Sequence, residues 1–319
     1  MISDIIHQIN MKSLAILVVG DLILDRFIFG NSSRISPEAP VPIVIPEREE
    51  QMLGGSGNVI KNLSNLGVKT SLCGVVGKDA EGDLLIEKLK KEDVNISNVL
   101  RLDSVNTTEK VRIIANLKQI VRLDSDMSGL VEGFLDKLVK NLDNQIQDFD
   151  GVIISDYGKG VCNGDFLTKI IDVANENNIP IFVDPKGSNW NKYQNADLIT
   201  PNTKEAEDVL KQVLESDEDF ELAGEKICSD YNIEACLITR GSDGMSFYSR
   251  NDIFHMKSVA KEVFDVSGAG DTVISAIAAG LLMNLSYKKA AHFSNQAAGS
   301  VVGQVGTSAV KVDQLLNLE

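Results

Sequence analysis

Cysteine pairs, histidine clusters and long apolar runs are all missing from this chain. Its four cysteines, Cys73, Cys162, Cys228 and Cys236, form no C-x-x-C pair and sit among apolar or strand-like neighbours. They are expected to be buried free thiols in a reducing compartment, not disulfides or metal ligands. Three histidines and no H-E-x-x-H argue against a zinc site. No stretch reaches 18 apolar residues, and residues 1–12 lack the apolar centre of a signal peptide. A cytoplasmic protein without membrane insertion is expected. Basic charge is also scarce: 31 Lys and Arg against 46 Asp and Glu leave a net charge of −15, which excludes a nucleic-acid partner of the usual basic kind. No G-x-x-x-x-G-K-[ST] occurs, so a P-loop is excluded, and no dinucleotide fingerprint follows the first apolar run. There is no internal repeat, low-complexity tract or interdomain linker.

The chain does carry a series of apolar runs that end in Gly-, Asp- and Lys-rich loops. Leu14–Val19, Thr70–Val76, Gly151–Ser155, Ile181–Val183, Leu198–Thr200 and Ala235–Thr239 read as strands, the last returning through Met245–Tyr248. Helical patterns follow most of them: Val59–Gly67, the segment up to Leu89, Phe166–Ala174, and Tyr287–Val302 near the end. A further helix spans Val131–Leu142. This alternation predicts an α/β fold, a doubly wound sheet with helices on both faces and its site along the carboxyl edge of the strands. With 319 residues, residues 1–319 are read as a single domain. Two excursions, at about 26–53 and 107–124, leave that pattern. The first is punctuated by Pro37, Pro40, Pro42 and Pro46, which suit edge strands. The second reads as a hairpin with Asn116 and Lys118 near its turn. Together they are expected to form a small β lid.

The chain is organised around Asp265–Thr272, D-V-S-G-A-G-D-T, followed at once by an apolar run from Val273 to Met283. A helix starting near Gly270 presents unpaired amides and a partial positive charge, and the glycines beside Ala269 let an anion come close. Asp271 falls in the first turn. Amides that stabilise a moving phosphoryl group, with a carboxylate that takes a hydroxyl proton, suit phosphoryl transfer. A glycine turn with an acidic first turn is the bland alternative. Gly54-Gly55-Ser56-Gly57-Asn58 is a second glycine-rich helix start, read as a flexible turn or as a sugar site with Asn58 as its polar side chain. In Asn202-Thr203-Lys204-Glu205 the spacing fits a capping box or a carboxylate placed beside Mg²⁺ and phosphates. Thr239-Arg240-Gly241-Ser242-Asp243-Gly244 reads as a tight turn.

The run Asp265–Ala276 resembles the C-terminal signature of the PfkB/ribokinase family of sugar kinases, and the 54–58 turn resembles its N-terminal signature. The resemblance covers essentially the whole chain. It implies Asp271 as catalytic base, with Gly268, Ala269 and Gly270 holding the transferred phosphoryl group. Asp21, Gly54, Gly55 and Asn58 are implied at the sugar. Asn202, Thr203, Lys204, Glu205, Thr239, Gly241 and Gly244 are implied at ATP, with Glu205 acting indirectly on Mg²⁺.

Several stretches are more specific. Ser33-Arg34-Ile35-Ser36-Pro37-Glu38-Ala39-Pro40-Val41-Pro42, Ser155-Asp156-Tyr157-Gly158-Lys159-Gly160, Asp184-Pro185-Lys186-Gly187 and Gly303–Ser308 look like the kinase portion of bacterial heptose-7-phosphate kinases of lipopolysaccharide-core assembly. The reaction so implied turns D-glycero-β-D-manno-heptose 7-phosphate and ATP into the 1,7-bisphosphate. Arg34, Arg112, Lys159 and Lys186 are then candidates for the 7-phosphate, and a homodimer through the lid is expected. Many such relatives continue into a nucleotidyltransferase domain; this chain stops at Glu319, so the kinase activity alone is expected of it. The rival readings are another sugar kinase of the same fold, acting on fructose, ribose or a nucleoside, and a non-catalytic sugar-phosphate sensor. Intact base and cradle weigh against the sensor.

Overall fold

A computed structural model describes residues 2–129, 131–260, 266–303, 306 and 308–317. Asp265 of the signature run, and Gln304, Val305 and Thr307 of the Gly303–Ser308 stretch, lie outside these.

The chain opens with α1 (Ile2–Lys12), whose Ile2, Ile5, Ile6 and Ile9 share one buried face. Strand β1 (Ala15–Gly20) follows, and after the single residue Asp21 the chain enters β2 (Leu22–Ile35) and β3 (Pro42–Gly55). Next come α2 (Ser56–Asn65), β4 (Lys69–Gly77), α3 (Ala80–Lys91), β5 (Asn95–Leu102) and the hairpin of β6 (Thr108–Ala115) and β7 (Lys118–Ser125). Asn116 and Leu117 turn that hairpin with positive φ at both residues, as a tight two-residue turn requires. Then follow α4 (Glu132–Asp143), β8 (Gly151–Ser155), α5 (Gly164–Glu176), β9 (Ile181–Asp184), β10 (Leu198–Ile199), α6 (Thr203–Leu210) and α7 (Asp217–Tyr231). The last described elements are β11 (Ala235–Thr239), β12 (Met245–Ser249), β13 (Ile253–Met256), α8 (Ala269–Leu282), α9 (Tyr287–Val301) and α10 (Val312–Leu316).

Among the described residues, nine strands form one sheet in the order β13-β12-β11-β10-β9-β8-β1-β4-β5. All its pairings are parallel except those of β12 and β13. Strand β1 lies between β4 and β8, so the chain winds to one side and then to the other from it. Its residues are buried on both faces. Ile16 and Val18 pack into a core with α1, α2, α3, α8 and α9. Leu17 and Val19 pack into a second core with α4, α5 and α7. An apolar run without polar alternation is what such a central parallel strand needs. Helix α8 is buried nearly all round, between α2, α9 and the sheet, which accounts for the unbroken apolar run after Asp271.

The lid is a second sheet, ordered β3-β2-β6-β7. It begins at Leu22, about four residues before the expected excursion, because the apolar run after Asp21 continues straight into β2. Proline-bearing β3 is an edge strand, and the register slips at Pro46 opposite Gly30, where a ladder donor is missing. Elements α1, β5, α7, β13 and α10 stand beyond those expected from the sequence.

Candidate active site

The carboxyl ends of β1, β8 and β9, the first turns of α2, α6 and α8, and the base of the lid meet at one place. Asp271 sits there, 1% exposed, in the first turn of α8. Gly268 caps the helix with φ 81° and no side-chain cap, a backbone state that glycine adopts without strain. Asn58 donates from Nδ2 to Asp271 Oδ2 at 2.7 Å, and the Tyr157 hydroxyl donates to Oδ1 at 2.7 Å. Burial raises the Asp271 carboxyl to about 6; the Asn58 and Tyr157 hydrogen bonds pull against that rise. A carboxylate so placed is still ionised at neutral pH, yet basic enough to take a proton.

Asp25, on β2, is a buried carboxylate facing the same space. Arg112 Nη1 lies 2.5 Å from its Oδ1. A Cβ on Gly54 would stand 2.2 Å from Asp25 Oδ2, and one on Gly55, at φ 59°, would stand 2.4 Å from the Asp21 carbonyl. Close packing against Asp25 and Asp21 is thus a structural reason for both glycines. Lys110 pairs in register with Asp25 across β2 and β6. Its ammonium lies 5.2 Å over the Tyr157 ring. Burial holds the Lys110 ammonium below its usual range; Lys159 and Arg112 add to that effect, and Asp25 opposes it.

Beside α8 lies a cavity of about 610 Å³ lined by Asn202, Thr203, Lys204, Thr239, Gly241, Gly244, Ala269 and Gly270, among others. All the residues expected at ATP line it except Glu205. A smaller cavity of about 160 Å³ shares Asn202, Thr239 and Gly270 with it and adds Tyr157, Asp184, Lys186 and Glu205. Gly244 is held at φ 97°, where a Cβ would stand 1.9 Å from the Met256 carbonyl.

Glu205 is a true capping-box residue: its Oε2 accepts the Asn202 amide at 3.0 Å while Asn202 Oδ1 accepts the Glu205 amide at 2.9 Å. Its Oε1 also meets Lys186 Nζ at 2.8 Å. The cap and the placement beside the phosphates are therefore compatible. Asp184, half-buried, has its carboxyl pushed well above the usual range by burial and by the neighbouring Asp271 and Glu205 charges.

Three expected sugar or phosphate contacts fall elsewhere. Asp21, 1% exposed, is occupied by backbone: its oxygens accept the amides of Tyr157, Lys159 and Val161 at 2.9, 3.0 and 3.0 Å. Lys186 pairs with Glu205 at the smaller cavity. Arg34 is exposed at the far end of β2, nine residues beyond Asp25, or roughly 30 Å along an extended strand. Of the four cations, Arg112 and Lys159 each lie near Lys110, Arg112 paired with Asp25 and Lys159 with Asp126. Asp21, Asp156 and Cys162 also lie close enough to suggest a metal site. The Asp156 oxygens, however, are taken by the Gly158 amide, Tyr193 and Lys192, and those of Asp21 by the loop amides.

Sequence reasoning gave no role to Asp25, Lys110, Tyr157 or Asp184. Asp25 carried a signal, a lone carboxylate inside the apolar run Leu22–Phe29. Tyr157 carried none beyond its loop.

Fold and site together define a carbohydrate kinase. The chain belongs to the pfkB family of carbohydrate kinases, whose profile matches residues 14–314. It is 42% identical over 301 residues to the "Bifunctional protein HldE" of Helicobacter pylori (strain Shi470), across 94% of this chain and 65% of that protein. It is 40% identical to the protein of the same name from Sulfurimonas denitrificans, across 95% of this chain and 64% of that one. The chain thus spans about two thirds of the length of these relatives. Among solved structures, an Arabidopsis thaliana ribokinase complexed with ribose and ATP superimposes with a TM-score of 0.75 at 19% identity, covering 96% of this chain and 98% of that one. Escherichia coli phosphofructokinase-2, in complex with potassium, does so with a TM-score of 0.80 at 20% identity, covering 96% and 97%. These two likenesses bear out the expected fold, a large α/β sheet of ribokinase type.

Proposed function

We propose that this kinase phosphorylates the C1 hydroxyl of D-glycero-β-D-manno-heptose 7-phosphate from ATP, in the cytoplasm, on the path to lipopolysaccharide core. The observation that carries the reading is the cation group Lys110, Arg112 and Lys159, set beside the buried base in a chain of net charge −15. An unphosphorylated sugar has no use for it. The 40–42% identity to HldE proteins supports the same substrate.

In this reading the sugar lies between Asn58 and Asp25, and Asp271 takes the C1 proton as the oxygen attacks. The amides at Gly268, Ala269 and Gly270 receive the phosphoryl group in line. ATP fills the larger cavity, with its terminal phosphates towards Asp184, Lys186 and Glu205. Asp184 is a hard oxygen donor that fits Mg²⁺, and Glu205, whose oxygens are taken by the Asn202 amide and Lys186, acts on the metal indirectly; the mutual repulsion that raises the Asp184 carboxyl is what a nearby cation relieves. Mg²⁺ would supply charge neutralisation on the triphosphate.

The deciding experiment gives purified protein Mg-ATP and a panel of sugars and sugar phosphates, with phosphorus NMR locating the new phosphate. Turnover of heptose 7-phosphate to a 1,7-bisphosphate is expected. Preference for fructose, ribose or a nucleoside would replace this substrate by another of the family. No turnover of any sugar would favour the sensor reading.

We also propose that two lids pair. Ile35, Ile45, Ile120 and Leu123 on the lid strands are exposed large apolar side chains. Analytical ultracentrifugation is expected to show a dimer that Leu123→Glu with Ile120→Glu dissociates. A monomer at high concentration would remove the dimer and leave the lid over the sugar.

A further inference from the structure

The base is held on both of its oxygens. Asn58, from α2, fixes Oδ2, and Tyr157, from the loop after β8, fixes Oδ1. The terminal torsion of a carboxylate is otherwise broad and roughly two-fold, so a single donor would leave Asp271 free to swing. We propose that Tyr157 is a positioning residue for the Asp271 base, and that Asp21 holds Tyr157 in place through the backbone. The proposal rests on Asp271 being the base.

The loop geometry carries the second half. Gly158 and Gly160 both have positive φ, at 66° and 108°. These turns aim the amides of residues 157, 159 and 161 at one point. Asp21 is at that point, accepting all three. The carboxylate therefore anchors a loop that reaches the base through the Tyr157 hydroxyl. Its place at the junction of β1 and β2 ties that loop to the centre of the main sheet.

Five groups face Asp271: Asn58 from α2, Tyr157 from the loop, Asp25 from β2, Lys110 from β6 and Asp184 at the end of β9. Asn58, Tyr157 and Lys110 favour the ionised carboxylate; Asp25 and Asp184 disfavour it. Phosphoryl transfer needs Asp271 ionised, so the rate falls as pH drops through its pKa. Removing the Tyr157 donor removes a bond made to the charged form. The acid limb must then move to higher pH. A tyrosine that only packed the loop would leave the limb where it was.

The test is the single-turnover rate of phosphoryl transfer against pH, for wild type, Tyr157→Phe, Asp271→Asn, and protein with 3-fluorotyrosine at position 157. The fluorinated ring keeps the shape and donates more strongly, so it remains informative if Tyr157→Phe folds poorly. Tyr157→Phe is expected to shift the acid limb up by about one pH unit and lower the plateau on the order of tenfold through misorientation of the base. The fluorinated protein is expected to shift the limb the other way. An unmoved limb in both, with Asp271→Asn inactive, overturns the role of Tyr157 and leaves the base standing. Full activity in Asp271→Asn removes the base itself and the proposal with it.

Discussion

Asp271→Asn is expected to stop phosphoryl transfer while leaving the fold and the nucleotide cavity in place. Loss of a general base costs roughly 10²–10⁴-fold in kcat, and here no other described carboxylate is placed to stand in. Asp25 is engaged by Arg112, and Asp184 faces the nucleotide side. ATP affinity, measured by calorimetry, is expected to stay within a few-fold, since the side chain of Asp271 lines neither nucleotide-side cavity. Stability gives an independent check. The carboxyl is raised from 3.8 to about 6 in the fold. The folded state therefore binds the proton more tightly than the unfolded one. The wild-type fold is favoured below pH 3.8 and loses stability as pH rises through about 6, by up to roughly 3 kcal/mol. Asparagine carries no charge at any pH. The variant is expected to melt no lower than wild type at pH 8, and a large drop in melting temperature would show that the carboxylate holds the structure together. Near-normal turnover would refute its role as base.

The second large effect concerns the remote phosphate. Removing it from the sugar is expected to lower kcat/KM by about 10²–10⁴-fold, the size of two charge-assisted hydrogen bonds at roughly 1.5–3 kcal/mol each. Lys110 and Lys159 are the informative positions. Lys110 has no carboxylate within ion-pair distance among the described residues, and its ammonium is held down by burial with Lys159 and Arg112 nearby. A dianion relieves that cost. Lys159 is drawn towards Asp126 and must leave it to take part. Arg112→Ala would strand the buried Asp25 carboxylate, so a loss there mixes structure with recognition. Lys110→Ala is expected to lose most of the preference for heptose 7-phosphate over heptose while turning over heptose itself at close to the wild-type rate at pH 8, above the acid limb to which Lys110 contributes. Equal use of the two sugars by wild type would end the heptose-7-phosphate reading. Preference surviving in Lys110→Ala and Lys159→Ala would move the phosphate elsewhere.

Much of the architecture was legible because the central strands are buried on both faces and so read as plain apolar runs. Strand Gly151–Ser155 and helix Tyr287–Val301 fall within a residue of their expected limits. Helix α1 was not expected, although isoleucines at positions 2, 5, 6 and 9 have helical spacing. Strand β13 was hidden because an edge strand of four half-exposed residues has no core to declare. The residues lining the larger cavity were legible as a group since two short turns supply most of them. The base of the lid was not. What meets there depends on which side chains β2 and β6 bring into register, and Lys110 faces Asp25 only through a pairing 85 residues apart in sequence. Asp21 looked like a ligand and proved to be an anchor, because a strand-end aspartate is equally able to hold a sugar hydroxyl or three loop amides.

One residue separates β1 from β2, and it is the same Asp21. The lid is therefore mounted on a single-residue joint, fixed on one side by the loop it anchors. Asp25, Lys110 and Arg112 ride on the lid strands; Asp271, Asn58 and Tyr157 belong to the main body. In the proposed reaction, a lid turning about that joint would carry the charges that grip the sugar phosphate away from it and leave the base with both of its donors. Capture and chemistry would then sit on separate parts, and release of the product would require no disturbance of the group that made it.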